Sequence, residues 1–301
     1  MDEISRSIRA KHGQSGRIRP GAWLKYRLSN PPARRALTRF IGWFSRIRSP
    51  WLAGISIAVW QRFADDLRLE EAEQQQYHSL HECFVRRLKP GARPICDNRE
   101  VLVSPCDAEV GQMGRIEHLT LLQAKGSSYS LEELLTDRVL AERYQGGSYV
   151  TLRLKSSMYH RFHAPADCGM DGLRYVSGDV RNVSPETLAR RGRIFVDNER
   201  AVVPLRLESG QTITLVAVAA ILVASIRFHC VEIPKVRRRA GVTPIACSAR
   251  FRRGEEVGWF EHGSTLIVLA EPGLSILPTI HQGQIIRMGQ ALLALPVESR
   301  R

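Results

Sequence analysis

The run TITLVAVAAILVASI, Thr212–Ile226, decides how this chain is read, because it is the apolar body of the longest stretch without a charge. Two structures suit such a run: a helix crossing a bilayer, or strand buried inside a protein. A crossing helix needs about 20 apolar residues, and this run has only 15. Val, Ile and Ala dominate it and turn residues flank it, so it reads as buried β-structure. No part of the chain is then expected to span a membrane. The first thirty residues also lack the apolar centre of a secretory signal.

On either side of that run, from Lys89-Pro90-Gly91 to the end, short apolar segments alternate with Gly, Pro, Asn and Asp. EVLVSP, AEVGQMGRI, GSYVTLRL, GRIFVDNERAVVPLRL and STLIVLAEPG read as mostly antiparallel strands. YSLEELLTDRVLAERY, 129–144, reads as a helical interruption. Two stretches, VSPCDAEVGQMGRI and QGQIIRMGQALLAL, echo small β-sandwich carrier domains. Neither supplies the lysine that such a carrier modifies, so the echo reports architecture only. The expected fold is α+β: a mostly antiparallel, sandwich- or barrel-like β body over 90–301, behind an amphipathic helical region over 36–89 and a basic, loosely ordered segment over 1–35.

With 301 residues, 44% of them hydrophobic and 25% charged, the chain can bury a core of ordinary size. Its net charge of +14 is uneven. Residues 1–50 hold 12 Lys or Arg against Asp2 and Glu3, an excess of +10. Such a block attracts nucleic acid or an anionic membrane. In ALTRFIGWFSRIR, 36–48, the apolar residues Leu37, Phe40, Ile41, Phe44 and Ile47 recur at helical spacing, with Arg39, Arg46 and Arg48 opposite and Pro50 as the stop. A second helix is expected through 54–69, with Ile55, Val59, Phe63 and Leu67 on one face. A packed helical hairpin explains this spacing. An interfacial anchor explains it equally well and also accounts for the charge and for Trp43, Trp51 and Trp60. Arginine interleaved with Phe and Ile suits a membrane better than a phosphate backbone, and no nucleic-acid motif is present.

The candidates for chemistry are few. SSMYHRFHAPADC, 156–168, carries His160 and His163; in a turn both can converge on one pocket, and Ala164 before proline favours a turn. A lone histidine is more often structural than catalytic. No third ligand stands at a metal-binding spacing, and none is expected. The six cysteines, Cys83, Cys96, Cys106, Cys168, Cys230 and Cys247, form no CxxC and read as small apolar residues of a reducing cytosol. Asp107 in SPCDAEV reads first as a turn former. Ser264 lies in Gly263-Ser264-Thr265, outside any Gly-x-Ser-x-Gly elbow. Asp107, His163 and Ser264 can still form an acid–base–nucleophile set, which geometry defines and chain order does not.

Six stretches, in order, resemble the phosphatidylserine decarboxylases: FVRRLKPGARPI (84–95), SPCDAEV (104–110), QAKGSSYSLEELL (123–135), YHRFHAPADC (159–168), FVDNERAVVPL (195–205) and HGSTLIVL (262–269). The resemblance implies a proenzyme that cuts itself between Gly263 and Ser264 into a β chain, 1–263, and an α chain, 264–301. Ser264 would become a covalent pyruvoyl group, the one cofactor expected. It implies Asp107, His163 and Ser264 as the self-processing triad and His160 as the residue of the decarboxylation step, with Tyr159 and Phe162 shaping the pocket. The substrate would be phosphatidylserine, held as a Schiff base and released as phosphatidylethanolamine and carbon dioxide. The expected partners are that lipid, an anionic membrane surface, and the α and β chains for each other. Homo-oligomerisation stays open, and nucleic acid is not expected. The expected location is peripheral, on the cytoplasmic side of the cell membrane. His262 departs from the Leu or Met common before the Gly-Ser-Thr. The alternatives are a pyruvoyl enzyme for another amino-lipid head group and a catalytically silent membrane-binding relative.

Overall fold

The structure, a computed structural model, describes residues 40–124, 127–183, 185–188, 193–220, 226–232, 241–261 and 264–296. The basic segment over 1–35, the start of the expected 36–48 helix, His262 and Gly263 lie outside the described residues.

The first part of the uncharged run forms the strand Thr212–Ala219, which is buried along its whole length, and residues 221–225 lie outside the described residues. It is hydrogen-bonded on one side to Arg200–Leu207 and on the other to Ser264–Ala270. The order across the sheet is Val242–Ile245, Leu173–Val176, Arg200–Leu207, Thr212–Ala219, Ser264–Ala270, Ser148–Leu154, Ala108–Arg115 and Ile285–Ile286. Every pairing within it is antiparallel. Both faces of the central strands are covered, which explains the absence of polar alternation. Leu215, Ala217, Leu266 and Val268 enter one hydrophobic cluster, while Val216, Val218, Ile267 and Leu269 enter another. Successive side chains point to opposite faces, so a strand sandwiched by two clusters must be apolar throughout. The molecule is α+β and mostly antiparallel.

The expected helix over 129–144 is two short helices, Leu131–Leu135 and Arg138–Glu142. Thr136 at φ 53° takes the left-handed conformation that ends the first, and Asp137 caps the second by accepting from Leu140 N. The two carrier-like stretches prove to be strand partners, with Ile285 opposite Glu109 and Ile286 opposite Ala108.

Helical residues 40–45 lead to the helix Pro50–Gln61. Pro50 does not merely stop the first helix. It opens the second, at the first position where its missing N–H costs nothing, behind the Ser49 cap. That helix ends at Gln61, short of the expected 54–69 span, so Phe63 and the buried Leu67 lie beyond it. It buries Ala53 and Ile57 against Ala72, Tyr77 and Cys83. Ile55 and Val59, on the expected apolar face, are exposed, as are Phe40, Trp43, Trp51 and Phe63. Among the described residues no helix is long and apolar enough to cross a membrane.

Candidate active site

The sheet register places Ser264 first. It opens the strand Ser264–Ala270, opposite Leu154 on one side and Ala219 on the other. Ala108 and Glu109 start the next strand, with Glu109 opposite Arg153. Ser264, Leu154 and Ala108 therefore stand in one row, and Asp107 sits at the same end of the sheet, two strands from the serine. Ser264 is buried, and its Oγ and Thr265 Oγ1 have no hydrogen-bond partner among the described residues. A buried hydroxyl left unpaired costs about 1–3 kcal/mol.

The same end of the sheet receives the histidines. The chain leaves Leu154 beside Ser264, turns through Met158 N→Lys155 O at 2.9 Å, and reaches His160, whose carbonyl accepts from Phe260 N at 2.9 Å. The connection 155–160 is thus tied to the strand of Ser264 at one end and to Phe260 at the other. The short strand Arg161–His163 continues against Glu256–Phe260, which also pairs Ile226–Phe228. Gly258 makes that approach possible: a β-carbon there would stand 2.1 Å from Arg227 O and 2.7 Å from Phe162.

His160 is fully buried. Its Nδ1 lies 2.8 Å from Met158 O, which can only accept, so Nδ1 carries a hydrogen. Its ring packs on Phe84 at 4.1 Å, and Phe84 stacks on Trp60 at 6.0 Å. The helical region therefore covers this histidine directly.

His163 N donates to Pro105 O at 2.7 Å, which brings it beside the Asp107 segment. The two side chains nevertheless bond elsewhere. His163 Nδ1 donates to Gly254 O and its Nε2 meets Tyr159 Oη, both at 2.9 Å. Burial pushes the His163 pKa below its ordinary value, against smaller opposing effects from the Gly254 carbonyl, Glu256 and Asp107. Asp107, with no exposed surface, accepts from Arg93 Nη2 at 2.6 Å, Arg287 Nη1 at 3.2 Å and Met288 N at 2.9 Å. Burial opposes charge on Arg93, but Asp107 and Glu71 outweigh it and raise its pKa.

Four further residues at the site did not stand out in the sequence. Arg161 donates to Val85 O at 2.6 Å and to Glu256 at 2.6 Å, and Arg86 donates to Leu67 O at 2.7 Å and Ser157 O at 2.9 Å. These two arginines fasten the helical region to the β body around His160. Glu261, buried two residues before Gly263, pairs with Arg46 at 2.7 Å and Arg227 at 3.2 Å. Arg93 completes the set. Arg86 and Arg93 fall within FVRRLKPGARPI, yet nothing in their type or spacing separates them from surface arginines. A groove of about 950 Å³, lined by Arg206, Arg250, Arg252 and Arg253 among others, includes none of Asp107, His160, His163 or Ser264.

A buried serine at a strand head and two buried histidines under a cover of helices make an arrangement suited to proton transfer. Comparison with known proteins names its class. Residues 80–294 match the family model of phosphatidylserine decarboxylase. The chain is 37% identical over 231 residues to a phosphatidylserine decarboxylase proenzyme of Brevibacillus brevis, covering 75% of this chain and 82% of that one. It is 36% identical over 271 residues to a proenzyme of the same name from Anaeromyxobacter (86% and 94%). With that of Yersinia enterocolitica it shares 33% identity over 290 residues (91% and 97%). These relatives are decarboxylases. The chain belongs to the phosphatidylserine decarboxylase family and is an enzyme of that class.

Proposed function

We propose that the chain cuts itself between Gly263 and Ser264 and that the resulting pair of fragments converts phosphatidylserine to phosphatidylethanolamine and carbon dioxide. The observation that carries this reading is Ser264, a buried hydroxyl without a partner among the described residues, at the head of a strand held on both sides. A serine kept for structure alone is expected to be bonded. Ser264 Oγ attacks the Gly263 carbonyl and an ester replaces the peptide bond. Loss of the Ser264 α-proton eliminates that ester. Hydrolysis with release of ammonia then leaves a pyruvoyl group at residue 264.

A buried, strand-fixed residue 264 suits such a group, which supplies the electrophilic carbonyl that draws electrons from the departing carboxylate. His163, neutral at pH 7, is the base for Ser264. Asp107 adds charge beside it and holds Met288 of the α fragment to the β fragment. His160 Nε2 takes a proton from the substrate amine as the Schiff base forms and delivers it to the α-carbon after the carboxylate has left. The exposed Phe40, Trp43, Trp51, Ile55, Val59 and Phe63 enter the headgroup region of an anionic leaflet, where the enzyme works peripherally on the cytoplasmic side.

Intact-mass measurement of purified protein tests the cut. Two fragments, 1–263 and 264–301, are expected, the second lacking its serine amine and reactive towards carbonyl reagents. Carbon dioxide should come from phosphatidylserine vesicles and not from soluble phosphoserine. A single uncut chain that still releases carbon dioxide overturns the mechanism; a cut chain that prefers phosphoserine overturns the substrate.

A further inference from the structure

Two stretches far apart in the chain, 84–86 and 157–161, hold each other by exchanging arginines. Arg86 Nη2 donates to Ser157 O at 2.9 Å, while Arg161 donates from Nη2 to Val85 O at 2.6 Å and from Nε to Arg86 O at 3.2 Å. These bonds end on carbonyls, so each arginine grips the other stretch by its backbone. Phe84 precedes Val85 and His160 precedes Arg161, and the crossed bonds set their two rings together. The centroids are 4.1 Å apart and the planes are tilted by 42°. Aromatic pairs usually stand about 4.5–7 Å apart, so the phenyl ring lies close on the face of the imidazole and not against its nitrogen edge. At that edge, Nδ1 is held by Met158 O at 2.8 Å. One bond at an edge leaves a ring free to swing about it; a body pressed on the face does not. Behind Phe84, Trp60 stacks at 6.0 Å and within 10° of parallel, which backs the phenyl ring against the histidine. Phe84 and His160 are both buried.

We propose that Phe84 is a positioning residue for His160: pressed on the imidazole and backed by Trp60, it fixes that ring on Met158 O and keeps water from it. The role rests on the reading of His160 as the residue of the decarboxylation step. Phe84 carries no titratable group and exchanges no proton; it acts by holding the group that does. A step that needs one nitrogen to move a proton between fixed positions slows when that nitrogen wanders. Misplacement by about 1 Å can cost on the order of 10²-fold in rate.

Phe84→Leu keeps the core filled but removes the flat ring. The variant enzyme should still form both fragments and keep the wild-type KM for phosphatidylserine, while its kcat for carbon dioxide release falls by about 10²-fold. An unchanged kcat, or a loss confined to KM, overturns the proposal. In a His160→Ala background the same substitution should cost nothing further; an equal further loss means that Phe84 acts elsewhere and overturns it. Full decarboxylation by His160→Ala alone overturns instead the reading of His160 on which the proposal rests. A readout without turnover comes from the uncut Ser264→Ala chain treated with diethyl pyrocarbonate, which modifies accessible imidazoles, and mapped by peptide mass. His160 should react far more slowly than the exposed His78 and His281. Phe84→Leu should speed its reaction by about tenfold or more, because modification of a buried group waits on local opening. A His160 that reacts as fast as His281, or at a rate that Phe84→Leu leaves unchanged, overturns the proposal. The comparison with His281 needs no change at residue 84, so it stands however that variant folds.

Discussion

Proton chemistry at this site depends on which nitrogen of each histidine is committed to a carbonyl. Met158 O and Gly254 O commit Nδ1 of His160 and His163, leaving Nε2 of each for exchange. Ser264→Ala removes the nucleophile, so denaturing gels should show one uncut chain without decarboxylase activity. His160→Ala leaves the cutting residues in place; it should yield both fragments but lower carbon dioxide release by about 10²–10⁴-fold. An uncut His160→Ala chain would exchange the two histidine roles. Burial lowers the His163 pKa, so its basic form persists to lower pH than in an ordinary histidine. The cutting rate should be flat at neutral pH and fall as pH drops through a midpoint below about 6.5. A midpoint above that value assigns the base elsewhere. Asp107 has a second consequence. Its loss in Asp107→Ala leaves Arg93 and Arg287 facing a buried gap. Urea unfolding of that variant should show about 3–5 kcal/mol lost, as when one partner of a buried ion pair is removed.

At the level of elements, the helix Pro50–Gln61 serves two sides. Ala53 and Ile57 face inward, and Trp60 reaches Phe84, which packs on His160. Trp51, 76% exposed, and Phe63, 83% exposed just after the helix, face outward. Burying an aromatic side chain contributes about 1.5–3 kcal/mol, so each outward residue is worth roughly tenfold in membrane affinity. Trp51→Ser with Phe63→Ser should weaken cosedimentation with phosphatidylserine vesicles by about 100-fold, while thermal melting in solution changes little. Unchanged cosedimentation would remove these residues from the membrane contact. Apolar residues at helical spacing were legible in the sequence. Which of them face the core was not, because periodicity marks a stripe without saying whether protein or lipid lies against it.

Across the whole molecule, the strand that begins at Ser264 lies between two partners, with seven register pairs on each side. A cut before Ser264 therefore severs the chain without releasing the C-terminal piece. The two fragments should co-elute on gel filtration in buffer and separate in strong denaturant; separation in buffer would contradict this topology. The amino-acid sequence by itself determined that Thr212–Ile226 is too short to cross a membrane, that the body is antiparallel β, and which family the motifs belong to. Those are local properties of composition, length and spacing. Only the tertiary structure decided that Asp107 bonds to Arg93 and Arg287, that Tyr159 stands on His163 Nε2, and that Glu261 is held by Arg46 and Arg227. Each of these bonds, Tyr159–His163 excepted, joins residues at least 14 positions apart. Even that exception depends on a turn whose shape the distant Gly254 and Phe260 complete. Hydrogen-bond partners are chosen by proximity in the folded chain, and a sequence lists only proximity along it.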